Sequence, residues 1–194
     1  MTAPDRTHVG SGSVEYETPP PLGKLIIERY ALNYDAFASH GNALLPLYST
    51  IEGTFVNRHL DPAAVALAHP REHRMDPTTM SDADGLDYDW TGLRVFCNPP
   101  YGRGILRRCI EKMIAEIDRA EIIVALLPVS TSAAWFRELV RPHAFIEWLP
   151  YRVAFVHPPF KCSKACEHTL GEPLTSPPGD NIVAEFRQPR GYAA

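Results

Sequence analysis

Short runs of hydrophobic residues alternate along the chain with stretches in which hydrophobic positions recur at helical spacing. The runs LRVFCN, EIIVALLP and FIEWL have the length of buried strands. Between the first two, apolar residues at three- and four-residue steps predict an amphipathic helix from about Gly104 to Arg119, and SAAWFRELV predicts a short helix before the third run. Strands rich in Ile, Val and Leu that alternate with helices are typical of a parallel sheet covered on both faces. The pattern therefore predicts an α/β fold.

The segments on either side extend this fold. Thr18-Pro19-Pro20 leads into LGKLIIERYALN, whose apolar spacing predicts a helix that begins at the prolines. NYDAFAS then predicts a short buried strand with Asp35 at its end. Further along, RVAFV and NIVAEFR predict two strands that return as an antiparallel edge hairpin, with a loop rich in Pro and Cys over about 157–180 between them.

The chain length of 194 residues fits one domain. Residues 1–16 show no periodicity and are predicted to form a flexible tail, so that a single domain spans 17–194. From about 47 to 82 the pattern is poor, apart from a small helix candidate that begins at Asp61 and Pro62. We interpret this stretch as an insertion. The 19 prolines predict long, stiffened loops.

Composition and charge exclude several classes of protein. Hydrophobic residues at 45% and charged residues at 22% are ordinary for a folded globular domain, and not for a collagen-like, coiled-coil or disordered chain. The net charge of −4 provides no general positive field, so any contact with nucleic acid must be local. The uncharged stretch from Ile122 to Phe136 is too short and too polar to cross a bilayer, and we find no secretory signal in the N-terminal residues. We therefore expect a cytoplasmic protein.

The four cysteines divide into two kinds. Cys97 lies in a predicted strand and Cys109 on the inner face of a predicted helix, where a free thiol usually serves as a small hydrophobic group. Cys162, Cys166 and His168 form a compact cluster that zinc would accept, with His157 as a candidate fourth ligand. The alternative, which we favour, is a surface loop whose Cys and His residues are incidental.

The segment with the clearest chemistry is Asn98-Pro99-Pro100-Tyr101, directly after the strand that ends in FC. In open α/β sheets ligands bind beyond the carboxyl ends of the strands. Asn98 offers a side-chain carbonyl, Pro99 a backbone carbonyl, Pro100 a stiff turn and Tyr101 a flat aromatic face. This set suits a planar group that bears an NH2.

Such a group is a poor nucleophile, because its lone pair is delocalised into the ring. Two hydrogen-bond acceptors, each bonded to one hydrogen of the NH2 group, would favour the pyramidal form of the nitrogen, which is the form that attacks an electrophile. The sulfonium methyl of S-adenosylmethionine (SAM) is already an activated electrophile, so the protein has to supply alignment and electrostatics and no strong base. Asn98 is neutral and cannot be a general base.

Six segments of the chain occur in an order known from one enzyme family. They are Thr18-Pro19-Pro20 before an apolar helix, LNYDAFAS followed by Asn42-Ala43, DGLDYDW from Asp84 to Trp90, RVFCNPPYGRGI, IIVALLPVSTSAAWF, and SPPGDNIVAEFR. Together they cover residues 18–187 and resemble the phage-type, Dam-like DNA N6-adenine methyltransferases.

The resemblance implies a Rossmann-like fold of SAM-dependent methyltransferases, with a mostly parallel sheet, helices on both faces and an antiparallel edge hairpin. It also implies that the acceptor is adenine in double-stranded DNA. That base would rotate out of the duplex and stack on Tyr101, with SAM as the cofactor. The resemblance also implies that the protein works in a bacterial or phage-infected cell.

The resemblance also assigns cofactor-binding positions. Asp35, Ala36 and Phe37 correspond to the first SAM motif, with Asp35 near the methionine or ribose part of the cofactor. Thr18 and Pro19 would cover the cofactor from the N-terminal side. Asp84 would approach its ribose or adenine. The chain departs from the family at Ser39-His40-Gly41, where a single glycine stands in place of a Gly-rich loop.

Plainer interpretations stay open for several residues. Asp35 would also serve to cap a turn, and Asp84, Asp87 and Asp89 would also form a solvated acidic bend. Arg103, Arg107, Arg108 and Lys112 either bind phosphates or form an exposed helix face.

Two functions compete with DNA methylation. One keeps SAM but methylates an RNA base or a protein glutamine amide. The other is a catalytically degenerate module that binds nucleic acid or a partner.

Overall fold

The structure is a computed structural model that describes residues 17–38, 43–49, 85–101, 104–156 and 179–187, together with the backbone of 55–57. The predicted tail over 1–16, the helix candidate at Asp61 and the Cys/His loop with Cys162, Cys166 and His168 lie outside the described residues.

The described helices and strands largely follow the apolar pattern. In chain order they are α1 (Pro20–Tyr30), β1 (Tyr34–Asp35), β2 (Leu47–Ser49), β3 (Phe55–Asn57), β4 (Arg94–Cys97), α2 (Ile105–Ala115), β5 (Ile122–Pro128), a π-helical turn (Phe136–Val140) that continues into α3 (Arg141–His143), β6 (Ala144–Trp148) and β7 (Asn181–Phe186). The predicted helix after Pro19 and the predicted helix behind NPPYG are confirmed, as are the strands at LRVFCN, EIIVALLP, FIEWL and NIVAEFR.

The strands of the described residues form one seven-stranded sheet in the order β3-β2-β1-β4-β5-β7-β6. The pairs β1–β2, β1–β4 and β4–β5 are parallel. The pairs β2–β3, β5–β7 and β6–β7 are antiparallel. The protein is therefore a mixed α/β structure, with a parallel centre and antiparallel pairing on both sides, and the predicted mostly parallel sheet is only partly correct.

The predicted edge hairpin has different members from those expected. RVAFV forms no strand; Val156 makes a single bridge to Glu17, and Val153 and Phe155 are buried. The antiparallel pair at this edge is instead β6 with β7. Because β7 is buried along nearly its whole length, it needs hydrogen-bonding partners on both sides, which it finds in β5 and β6. The more exposed β6 takes the edge position.

The predicted insertion over about 47–82 begins with residues of the sheet. Leu47, Tyr48 and Ser49 form β2 and are all buried. The hydroxyl of Ser49 donates to the carbonyl of Ala36 (2.7 Å) and lies 2.6 Å from the hydroxyl of Tyr34. A strand of three residues is too short to show a period, which is why the pattern did not predict it.

Apolar residues of the sheet pack against helices on both faces. On one face Val95 and Cys97 of β4 belong to a cluster with α2 and the π-helical turn. On the other face Phe96 belongs to a cluster with Leu22 and Ile26 of α1. The expectation of helices on both faces is confirmed for the described elements. None of the described helices is long and apolar enough to cross a bilayer.

Gly85 brings its backbone unusually close to the end of β1. A Cβ atom added at Gly85 would overlap the carbonyl oxygen of Ala36 and would lie 2.6 Å from Oγ of Ser49. Ala36 follows directly after Asp35. Because Gly85 has no Cβ atom, the backbone at the end of β1 can pass this close to it.

Replacing Gly85 with alanine is expected to lower the free energy of unfolding by about 2 kcal/mol or more, because the methyl group meets backbone that has no room to move. Gly92→Ala is the matched control. Gly92 has a φ of +72° and no heavy atom within 4 Å of its added Cβ, so only backbone strain of about 1 kcal/mol is expected. Denaturant unfolding of both variants checks this, and equal losses would contradict the close contact at Gly85.

Candidate active site

The strand order places a topological switch point between β1 and β4. From β1 the sheet continues to β2 and β3 on one side and to β4 and β5 on the other. Ligands in open α/β sheets bind in the crevice at such a point, outside the carboxyl ends of the strands. Asp35 ends β1 and Asn98 follows β4, so two segments far apart in the sequence meet at this crevice.

A small, partly open pocket lies at the switch point. Its lining comes from both predicted sets of site residues and from neighbours, namely Thr18, Asp35, Phe37, Ala38, Leu44, Phe96 and Asn98. Three residues predicted on the cofactor side and one predicted on the acceptor side thus share one pocket. Pro19 caps the start of α1, and Ala36 is fully buried beside the pocket. Asp84 lies outside the described residues.

Asp35 is a buried carboxyl group that bonds to backbone. Its Oδ2 accepts a hydrogen bond from the backbone N–H of Leu44 (3.1 Å), and the N–H of Phe37 also bonds to it. Burial raises the pKa of Asp35 from 3.8 to about 7, although the two backbone donors oppose the rise. The alternative that Asp35 caps a turn is compatible with these contacts, but Asp35 also lines the pocket.

Asn98 is fixed by a residue of the N-terminal segment. Its Nδ2 donates to Oγ1 of Thr18 at 2.9 Å. The bond sets the orientation of the amide, so that Oδ1 points to Tyr101, whose hydroxyl donates to it at 3.3 Å. Thr18 was predicted to cover a cofactor, and sequence reasoning missed this contact because the two residues are distant in the chain.

The hydroxyl group of Tyr101 lies among several partners. Its oxygen is 3.3 Å from Oδ1 of Asn98, 3.3 Å from the carbonyl oxygen of Leu126 and 3.4 Å from Nδ2 of Asn181. The ring meets that of Phe155 edge to face, with centroids 5.9 Å apart. Burial raises the pKa of Tyr101 well above its ordinary value, so the hydroxyl stays neutral. The stacking of a base on this ring stays a prediction.

The basic residues behind NPPY are mostly engaged with acids. Arg107 pairs with Glu111 at 2.8 Å, and Lys112 pairs with the buried Glu116 at 2.6 Å. For these two residues the helix-face interpretation is the better supported, and Arg103 lies outside the described residues. Asp87 and Asp89 are exposed, as a solvated acidic bend requires.

The cysteines that the structure describes are Cys97 and Cys109, which are both buried and form no disulfide, in agreement with a structural role. Within the described ranges no group of three or more His, Cys, Asp or Glu residues is placed to hold a metal. The zinc hypothesis for Cys162, Cys166 and His168, with His157, concerns residues outside those ranges.

Sequence reasoning missed three residues that shape this region. Phe96 forms part of the pocket lining, Phe155 packs on Tyr101, and Asn181 bonds to the hydroxyl of Tyr101. Asn181 lies in the segment SPPGDNIVAEFR, but only its nonlocal contact with Tyr101 indicates a role.

Comparison with known families identifies the chain. The model of the DNA N-6-adenine-methyltransferase (Dam) family matches residues 45–169, more than half of the 194-residue chain. The chain belongs to this family. The resemblance inferred from the six segments is thereby confirmed. No curated protein matches the chain. The matched range includes NPPY and the segment 47–82, whereas Thr18, Asp35 and Asn181 of this Dam-family protein lie outside it.

The raised pKa of Asp35 predicts a dependence of stability on pH. Between about pH 4 and pH 7 the unfolded carboxyl group is ionised while the folded one keeps its proton, so this residue's contribution to stability falls as the pH rises and is constant above that window. Asp35→Asn removes the titration. The variant should therefore gain on the order of 4 kcal/mol relative to the wild type between pH 4 and pH 7. Urea unfolding across this range measures the difference, and a gap that does not change with pH would contradict the burial of the ionisable group.

Proposed function

We propose that this protein transfers a methyl group from SAM to the exocyclic N6 amine of adenine in DNA. One observation carries the proposal: in a chain of the Dam family, Asn98 of NPPY shares a pocket at the switch point with Thr18, Asp35 and Phe37. The pocket brings the predicted acceptor side next to the predicted cofactor side, as transfer between two ligands requires.

The strand order supports a Rossmann-like fold. The segment β3-β2-β1-β4-β5 repeats the order of doubly wound nucleotide-binding sheets. Two strands depart from that pattern, since β3 is antiparallel to β2 and β7 is antiparallel to its neighbours. Neither departure touches the β1–β4 crevice, so the proposed ligand site keeps the parallel geometry.

The pocket residues suit SAM. Phe37 and Phe96 offer apolar walls, and the carboxyl group of Asp35 matches a ligand that carries hydroxyl donors or positive charge. Thr18, Asp35 and Phe37 would hold the cofactor, with Pro19, Ala36 and Asp84 as further proposed contributors. When bound, SAM supplies a methyl group already activated by the sulfonium.

The residues of NPPY would then hold and align the acceptor. Oδ1 of Asn98 accepts one hydrogen of the amine, and the backbone carbonyl of Pro99 accepts the other, while Pro100 stiffens the turn that presents them. Asn98 removes no proton, because an amide is neutral; the excess proton of the amine leaves to water after transfer. Tyr101 receives the flipped base on its ring.

A second candidate substrate class rests on charge. The net charge is −4, and two of the three described basic residues behind NPPY, Arg107 and Lys112, are paired with acids. A protein glutamine amide or an RNA base offers the same planar NH2, and a protein acceptor needs no cationic surface. A panel of DNA, RNA and protein acceptors with labelled SAM separates these classes.

The third candidate, a degenerate binding module, is favoured by the single glycine in Ser39-His40-Gly41 and by the net charge of −4. Calorimetry with SAM or its demethylated product tests it directly. Binding supports the enzyme, and no binding at millimolar ligand supports the module.

Asn98→Ala is expected to reduce methyl transfer to DNA by about a hundredfold or more, because it removes an acceptor that aligns the reacting amine. SAM affinity should change by less than about tenfold, since the lost group serves the acceptor. The measurements are transfer of labelled methyl to mixed-sequence DNA and calorimetry with SAM.

Lys24→Ala is the matched control. Lys24 is exposed on α1 and pairs only loosely with Glu28, at 3.8 Å, so its loss should leave both readouts unchanged. Equal losses of turnover and SAM affinity in Asn98→Ala would contradict the acceptor role. Absence of label from adenine in wild-type protein that binds SAM would refute DNA as the substrate.

A further inference from the structure

Asn181 lies where the antiparallel strand β7 meets the proposed acceptor site. It is the first residue of β7 and is paired with Pro128, the last residue of β5. Because β7 runs opposite to β5, its first residue reaches the carboxyl edge of the sheet, where NPPY also lies. The family match ends at residue 169, so it assigns nothing to Asn181.

The side chain of Asn181 connects the sheet to Tyr101. Its Nδ2 is 3.4 Å from the hydroxyl oxygen of Tyr101 and 3.4 Å from the carbonyl oxygen of Leu127. Its backbone carbonyl accepts a hydrogen bond from Leu149 at 3.2 Å, which fixes the residue from the other side. Asn181 is only 1% exposed, so water does not compete for these contacts.

Stability alone does not account for asparagine at this position. Among the described residues no donor reaches Oδ1 of Asn181, although the atom is buried. A buried acceptor without a donor destabilises the folded state, and leucine, of similar size, would avoid that cost. Local violations of this kind are expected where a residue serves function.

We propose that Asn181 is a positioning residue for the acceptor site and acts by holding the hydroxyl oxygen of Tyr101. The proposal rests on the methyltransfer function proposed above. With the oxygen held, the O–H of Tyr101 is free to turn from Oδ1 of Asn98 to the carbonyl of Leu126, which lies at the same 3.3 Å. Oδ1 of Asn98 then accepts the incoming amine.

The same anchor controls the aromatic ring. Rotation about the axis from Cβ to the hydroxyl oxygen turns the faces of the Tyr101 ring and leaves both ends in place. In the structure, packing against Phe155 sets the direction of the ring faces of Tyr101. After the rotation, one face is presented to a planar acceptor while the hydroxyl stays bonded to Asn181. Asn181 therefore reduces the conformational entropy that the Tyr101 ring loses when a base stacks on it.

The first test uses protein with tyrosine labelled by ¹³C at Cζ, whose chemical shift responds to bonding of the hydroxyl. Tyr101→Phe assigns the resonance by its disappearance. Asn181→Leu should move the Tyr101 resonance, leave the other tyrosine resonances in place and keep Tm within about 4 °C of the wild type. Asn181→Ala serves as the second variant if leucine prevents folding.

Asn33→Leu is the matched control. Asn33 accepts a hydrogen bond from the backbone of Arg94 at the amino end of β4, on the opposite edge of the sheet, so its loss should not move the Tyr101 resonance. An unchanged resonance in Asn181→Leu would overturn the proposal. So would a general shift of all tyrosines together with a fall in Tm of more than about 10 °C, since that would mark a purely structural residue.

The second test is a double-mutant cycle on methyl transfer to DNA. Asn181→Leu should lower kcat/KM by about three- to tenfold, as expected for one hydrogen bond. In the Tyr101→Phe background the same change should have almost no effect, because the hydroxyl through which Asn181 acts is absent. Additive losses would overturn the proposal. If the wild type methylates no DNA, the proposed function fails, whereas the resonance measurement still decides whether Asn181 positions Tyr101.

Discussion

The parallel pairing of β1 with β4 is the constraint on which the rest of the site depends. Tyr34 lies opposite Val95 and Asp35 opposite Phe96, and the N–H of Ala36 extends the ladder to the carbonyl of Phe96 at 3.0 Å. Parallel strands end at the same edge of a sheet, so the residues that follow them emerge side by side. Asp35 at the end of one strand and Asn98 directly after the other therefore line one pocket.

A chain of neutral hydrogen bonds crosses this edge. It runs from Thr18 through Asn98 and Tyr101 to Asn181, and so joins the N-terminal segment, the end of β4 and the start of β7. The pKa of Tyr101 is raised and amides do not titrate, so the chain keeps its protons across the physiological range. The ionisable group of the pocket lining is Asp35. The proposed acceptor side is thus insulated from pH, and the proposed cofactor side responds to it.

The elements of the fold that are determined by residues close together in the chain could be predicted from the sequence. The runs of β4 and β5 and the stripe of α2 carry their own period, and Asn98 follows a strand end that the pattern defines. What stayed hidden depends on nonlocal contacts. The insertion of β7 between β5 and β6, the three-residue strand β2 and the packing of Phe155 on Tyr101 leave no periodic trace, because each is decided by a partner distant in the chain.

The bridge between Glu17 and Val156 bears on how such a protein is made. Their backbones exchange two hydrogen bonds, of 3.1 and 3.0 Å, and Thr18 follows directly after Glu17. Thr18, which orients Asn98, is therefore held in place by a segment that is synthesised much later. A nascent chain still on the ribosome can pair β1 with β4, but it cannot close this bridge until Val156 has left the exit tunnel. Thr18 accordingly gains this support only late in translation, after most of the chain has been synthesised.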